Sequence, residues 1–299
     1  MKNFNKIVMA MATILLGIGA LCCVIGGIKG GFRNANNINF NFPFASFRFD
    51  YDNGKKGFDS SVKDFVIKDG EEADFEASKI KDLELEIGGC QCRLEESEDG
   101  RIHVKSTGNL KLAAKAEGGT LYIKTENGQT VSNDKKVIIA MPKDMVFDEI
   151  DVSLGAIEMF TEIPLACDTF DLDAGAGSIK IKELTAKVMD IDAGAGEISI
   201  AQGFTEDLDL DMGMGSFEYS GDITGDFDLD MSMGSASLEL GSGEKDHNYD
   251  ISCAGGSAAV GSHRFDGFGK SSNIDNGVDS DFDIDCSMGS VNITFADKL

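Results

Sequence analysis

The chain is 299 residues long and carries 52 acidic against 27 basic residues, a formal charge of −25. Such a body repels nucleic acid and anionic lipid and suits cations and basic partners. Tryptophan is absent, proline counts 3 and glycine 36, and a glycine-bearing repeat accounts for much of that glycine.

Residues 1–33 hold Lys2, Lys6, Lys29 and Arg33 and no acid. Within them, 1–6 is a short basic head, and 7–28 is a run of 22 residues without a charge. That length spans a hydrocarbon layer of ~30 Å, so the sequence predicts one N-terminal transmembrane helix. A cleaved signal peptide has a shorter apolar core and an Ala-x-Ala-like site, and none is found. A lipoprotein reading would use Cys22 or Cys23, but Leu21 is bulky for that processing. Lysines and arginines flank both ends, so the following acidic domain sets the expected orientation: a single-pass protein of the cell membrane, its C-terminal domain extracellular.

Residues 29–79 read as a juxtamembrane aromatic segment and a tether. Ile38, Phe40, Phe42, Phe44, Phe47, Phe49 and Tyr51 alternate with polar residues. That pattern is an extended strand capping or edging the body, or an aromatic foot at the lipid interface. Asn53 to Ser78 is charged and poor in apolar residues.

The body is expected over 80–299. Leu83–Leu94, Arg101–Lys105, Leu121–Lys124 and Lys136–Met141 read as short strands, and Pro142 marks a break. Ile150–Met159 is an imperfect first coil. A regular unit follows, starting at Phe170, Met189, Leu208 and Phe227, each 19 residues after the last. A fixed period near twenty residues signals a solenoid. Inside the unit Phe170, Leu172, Ala174 and Ala176 fall on one face, and Asp171, Asp173 and Gly175 on the other, the alternation of a half-buried strand. The phase slips before Ile179, so Gly177-Ser178 is read as a corner. The fold class is therefore all-β: a single-stranded parallel β-solenoid of ~19-residue coils that share one core. Looser copies begin at Tyr249 and Phe282, and 262–280 reads as a loop between these last two coils.

Leu83–Leu94, Val137–Pro142, the Gly-Ser-Ile-Lys-Ile coils and Met288–Ile293 together resemble the bacterial "putative adhesin" domain-of-unknown-function family. The resemblance covers about residues 80–295. It implies a domain common in Gram-positive bacteria, often behind a single membrane helix, with no established catalytic residues to carry over.

The candidate site is the set of Asp-x-Asp pairs: Asp171 and Asp173, Asp190 and Asp192, Asp209 and Asp211, Asp228 and Asp230. All point away from the core. Members of a pair lie roughly 6.8 Å apart, and neighbouring coils stack at about 4.8 Å, so like charges crowd. One reading is a solvated acidic face; the other is a calcium site, since calcium takes carboxylate oxygens. Neither the EF-hand spacing nor the calcium nonapeptide fits. Counted from Asp171, glycine is at position 5 and Lys182 at position 12. No other cofactor is called for.

Cys90 and Cys92 share one strand face. Cys253 and Cys286 fall in the inward column of Ala174, Ala193, Met212 and Met231, within reach of a disulfide. The histidines His103, His247 and His263 sit in unrelated contexts. No nucleophile elbow, zinc-protease motif or phosphate loop occurs. The expectation is a non-catalytic, surface-displayed module that binds an unknown protein or a wall polymer, or serves as an envelope scaffold. One alternative is a regulatory membrane subunit in envelope-stress signalling. The other is a calcium-dependent enzyme acting on polysaccharide, which needs a basic residue over the acidic groove. The arginines after Arg48 are Arg93, Arg101 and Arg264, all outside the regular coils.

Overall fold

The structure is a computed structural model that describes residues 38–42, 45–49, 66–126, 132, 134–266 and 269–296. The basic head and the membrane span expected at 7–28 lie outside the described residues. Among the described residues no helix is long and apolar enough to cross a membrane.

The described chain is built of strands. Strands β1 (Ile38–Phe42) and β2 (Ala45–Phe49) form an antiparallel pair of their own, in register Phe40 to Phe47. They pair with each other and not with the long sheet, which corrects the expectation of one extended edge strand. β3 (Val66–Ile67) and β4 (Glu72–Phe75) do join the long sheet. The long sheet therefore starts inside the expected tether.

The long sheet continues through β5 (Asp82–Ile87), β6 (Gln91–Glu96), β7 (Ile102–Thr107), β8 (Leu112–Glu117), β9 (Thr120–Thr125) and β10 (Lys136–Met141). The coils follow as β11 (Phe147–Thr185), β12 (Val188–Thr205), β13 (Asp207–Ile223) and β14 (Phe227–Leu240). The end is β15 (Asn248–Cys253), β16 (Ser257–Val260), β17 (His263–Asp266), β18 (Lys270–Ile274) and β19 (Asp281–Phe295).

Coils β11 to β14 stack in parallel and in register, 19 residues apart: Phe170 on Met189, Met189 on Leu208, Leu208 on Phe227. The period-two pattern becomes a solenoid because each coil buries one face and leaves its strand edges to the coils beside it. Two inward columns show the packing. Leu172, Ile191, Leu210 and Leu229 are buried in a line. On the neighbouring wall Phe217 faces Ala236, a large side chain opposite a small one at one level. The corner forms where the phase slips. At Gly177 the backbone has φ +142, and a Cβ would lie 1.9 Å from the Ile157 carbonyl oxygen, so the bend demands glycine. Ala174 packs on the core, but Ala176, expected inside, is only half-buried. The turn starts before it.

At both ends the coils are stacked out of sequence order. β19 lies directly on β14 (Phe227 to Phe282, Leu229 to Ile284), and β15 and β16 lie on the far side of β19. β17 and β18, expected as loop, then pair antiparallel with β16 and β15 and close the end. The other end mirrors this. β5 and β6 sit between β11 on one side and β9 and β10 on the other, all parallel. β8 and β7 cap those antiparallel, with β3 and β4 outermost. The solenoid is thus parallel through its middle and antiparallel at its ends. Ending a stack this way covers the open edge that a parallel coil would present to other chains.

Candidate functional site

One wall of the solenoid carries the aspartates. Strand alternation sends Asp171 and Asp173 outward on either side of the buried Leu172, after the buried Phe170, and each later coil repeats the arrangement. In-register stacking then makes two columns. One runs Asp171, Asp190, Asp209, Asp228, Asp283, Asp250. The second runs Asp173, Asp192, Asp211, Asp230, Asp285 and ends on Ser252. All eight expected aspartates are therefore brought together on one face. Asp283, Asp285 and Asp250 join them, three positions the regular repeat left out. Their Asp-x-Asp or Asp-x-Ser spacing, at Phe282 and Tyr249, was the available signal.

The columns hold no lysine or arginine from Asp171 to Asp250. Among the described residues a basic side chain enters at the β9 end, where Lys124 is in register with Glu86 and makes an ion pair with it. Crowding shows in the acidities. Burial, then Asp151 and Asp190, pushes the Asp171 carboxyl up to about 6. Burial, then Asp192 and Asp230, does the same for Asp211, to about 6. Asp173, Asp192, Asp209, Asp228, Asp230 and Asp283 are also raised, by burial first and by neighbouring aspartates second. A carboxylate that resists ionisation among its own kind is relieved by any bound cation. The face can hold cations or a basic chain. Arg93 pairs with Glu162 at 2.8 Å.

The cysteines among the described residues belong to the core. Cys90, Cys92, Cys167, Cys253 and Cys286 are buried and not joined in disulfides. Burial pushes the Cys90 and Cys167 thiols up to about 12 and the Cys286 thiol to about 11, so they stay protonated. Cys253 and Cys286 do sit at one level of adjacent strands.

A second polar cluster escaped the sequence reading. Antiparallel pairing of β4 with β7 sets Asp74 opposite His103. His103 Nδ1 lies 2.7 Å from Asp74 Oδ1 and 3.0 Å from Glu72 Oε1, and Nε2 lies 2.8 Å from Asp99 Oδ1. The bond to Asp99 leads in raising the imidazole's affinity for its proton, Asp74 adds to it, and burial opposes both. The arrangement is an imidazolium latch between the end strands. His247 is different again: it is buried against the Phe282 ring at 4.1 Å, with Ser280 and Ser242 hydroxyls on its two nitrogens.

Residues 80–260 match the family described as Toastrack DUF4097. No curated protein matches the sequence. Among solved structures, a putative adhesin from Bacteroides fragilis is similar at 13% identity and a TM-score of 0.33, covering 76% of this chain and 96% of that one. A putative cell adhesion protein from Clostridium sporogenes is similar at 15% identity and 0.32, covering 76% and 99%. A putative lipid binding protein from Parabacteroides distasonis is similar at 13% and 0.33, covering 79% and 98%.

Proposed function

The chain belongs to the Toastrack DUF4097 family, and from that footing we propose that it is a non-catalytic binding module whose acidic wall engages cationic partners at the cell surface. The observation that carries this reading is the pair of in-register aspartate columns, unbroken by any basic residue from Asp171 to Asp250. A repeated carboxylate every rung, about 4.8 Å, offers a basic protein segment or an amine-bearing wall polymer many weak contacts at once. Multivalent contacts of that kind add up without any single pocket.

The module is held at the membrane by 7–28, with 1–6 on the inner side and the solenoid outside. The uncharged length of that segment supports this. A calcium ion between neighbouring aspartates is the finer possibility on the same face, at Asp171, Asp173, Asp190, Asp192, Asp209, Asp211, Asp228 and Asp230.

The test is binding of the full chain, in detergent, to poly-lysine across a salt series. Affinity should fall steeply with salt, as screening shortens the reach of exposed charges. It should weaken in Asp192→Asn/Asp211→Asn/Asp230→Asn. Equal binding by the variant would remove the acidic wall as the contact. For the anchor, the protein should stay with membranes after an alkaline wash; an N-terminus mapped beyond Cys23 would overturn it.

A further inference from the structure

One column at the corner of the solenoid differs from its neighbours. Ala176 and Ala195 are followed in register by Met214, Met233 and Met288. The three methionines are half-buried, whereas Met212 and Met231, two residues earlier on the same coils, are fully buried. The half-buried side chains that pack on the core at this corner are Ala174 and Ala193. The outer methionines therefore do not fill the core, and a polar residue would serve a merely solvated corner better.

Side chains in register on parallel strands repeat at the rung spacing, about 4.8 Å. Two metal–sulfur bonds of about 2.3 Å each, set in line, span nearly that interval. Thioether sulfur is a soft, neutral donor that favours copper(I) over magnesium or calcium. Asp211, Asp230 and Asp285 precede the three methionines by three residues on the same coils, so the acidic wall concentrates cations beside the sulfurs.

We propose that Met214, Met233 and Met288 form a thioether ladder that binds a soft monovalent metal ion, copper(I), on the outer corner between the two walls. The ion arrives and stays as copper(I), and no electron is transferred. The site is independent of the aspartate columns as a binding surface: it uses sulfur, and it lies three residues further along each coil.

The test uses the full chain labelled with carbon-13 at the methionine methyl groups, titrated with silver(I), a redox-inert substitute for copper(I). Single Met→Leu variants assign the resonances. We expect the methyls of Met214, Met233 and Met288 to shift while those of Met212 and Met231 stay in place. Met214→Leu/Met233→Leu/Met288→Leu should keep the parent's circular dichroism and lose the silver response. Cys253→Ala/Cys286→Ala should retain it, separating thioether from thiol. Silver binding that survives in the triple variant, or that vanishes with the two thiols, overturns the proposal. So does a triple variant that changes oligomeric state while the parent's methyls ignore silver, which would make the strip an apolar contact between copies.

Discussion

Phe227 packs edge-on against Phe282, with 5.4 Å between ring centroids, although the next repeat after Phe227 in the sequence begins at Tyr249. Tyr249 meets Phe282 from the other side, at 5.8 Å. The last strand of the solenoid is thus inserted between two coils that were made before it. It bonds along both edges and seals the hydrophobic columns above and below.

Phe282 should accordingly be a costly position. Phe282→Ala removes a fully buried ring shared by two coils, and we expect a loss of about 3–5 kcal/mol. Chemical denaturation of the parent and the variant measures it. A change below about 1 kcal/mol would mean that β19 is not wedged in the stack, because a buried aromatic truncation of this kind does not come so cheaply.

Met231 and Asp228 test the two sides of one strand. Met231 is 2% exposed, so Met231→Asp buries an unpaired charge and should cost several kcal/mol. Asp228 is on the outer wall with its acidity suppressed by burial and by Asp209, so Asp228→Asn should be neutral or mildly stabilising. Equal melting temperatures for Met231→Asp and the parent would reverse the face assignment.

The acidic wall gives stability a definite slope with pH. The carboxyls of Asp171 and Asp211 are raised from 3.8 to about 6 in the folded chain. The folded state therefore holds these protons more tightly than the unfolded state does. Their contribution is fully present below about 3.8 and is lost as pH rises through about 6. We expect the melting temperature to rise as pH is lowered from 6.5 to about 4.5, and Asp171→Asn/Asp211→Asn to flatten that slope. A parent whose melting temperature falls over this range would contradict the crowding of the columns.

The His103 latch acts in a higher window. Its pKa is raised above the ordinary 6.5, so its stabilisation is complete below 6.5 and fades as pH climbs through the folded value. His103→Gln should reduce the melting temperature at pH 6 more than at pH 8.5. An equal effect at both would show that the imidazole is not held by charge to Glu72, Asp74 and Asp99.

Salt and calcium separate the two readings of the aspartates. Sodium chloride should raise the melting temperature gradually, as the Debye length falls from about 10 Å at 0.1 M to about 3 Å at 1 M. A bound calcium ion would instead stabilise by mass action, following the ratio of free ion to dissociation constant. We expect the gradual salt response without a separate calcium step. A shift of several degrees at sub-millimolar calcium, abolished by Asp190→Asn/Asp209→Asn, would make the columns a metal site.

Much of this was written in the order of the residues. The 19-residue spacing of Phe170, Met189, Leu208 and Phe227 and the strict alternation around Asp171 and Asp173 determined the coil, its buried face and its acidic wall. A strand offers a side chain only two directions, so the pattern could be read locally. The corner was legible to within a residue, because Gly177 marks it.

What the sequence left open, the tertiary structure decided. The repeats at Phe227, Tyr249 and Phe282 carry the same alternation, so either of the last two fits on Phe227 in the same register. Only the stacking as a whole chose Phe282 and sent 248–260 outward beneath the antiparallel strands β17 and β18. His103 likewise acquired its three carboxylates from β4 and the turn at Asp99, through pairings that no local pattern announces. Local alternation determines which face of a strand is buried. Which strands become neighbours depends on edges that must be paired across the whole stack, and that choice exists only once the chain is folded.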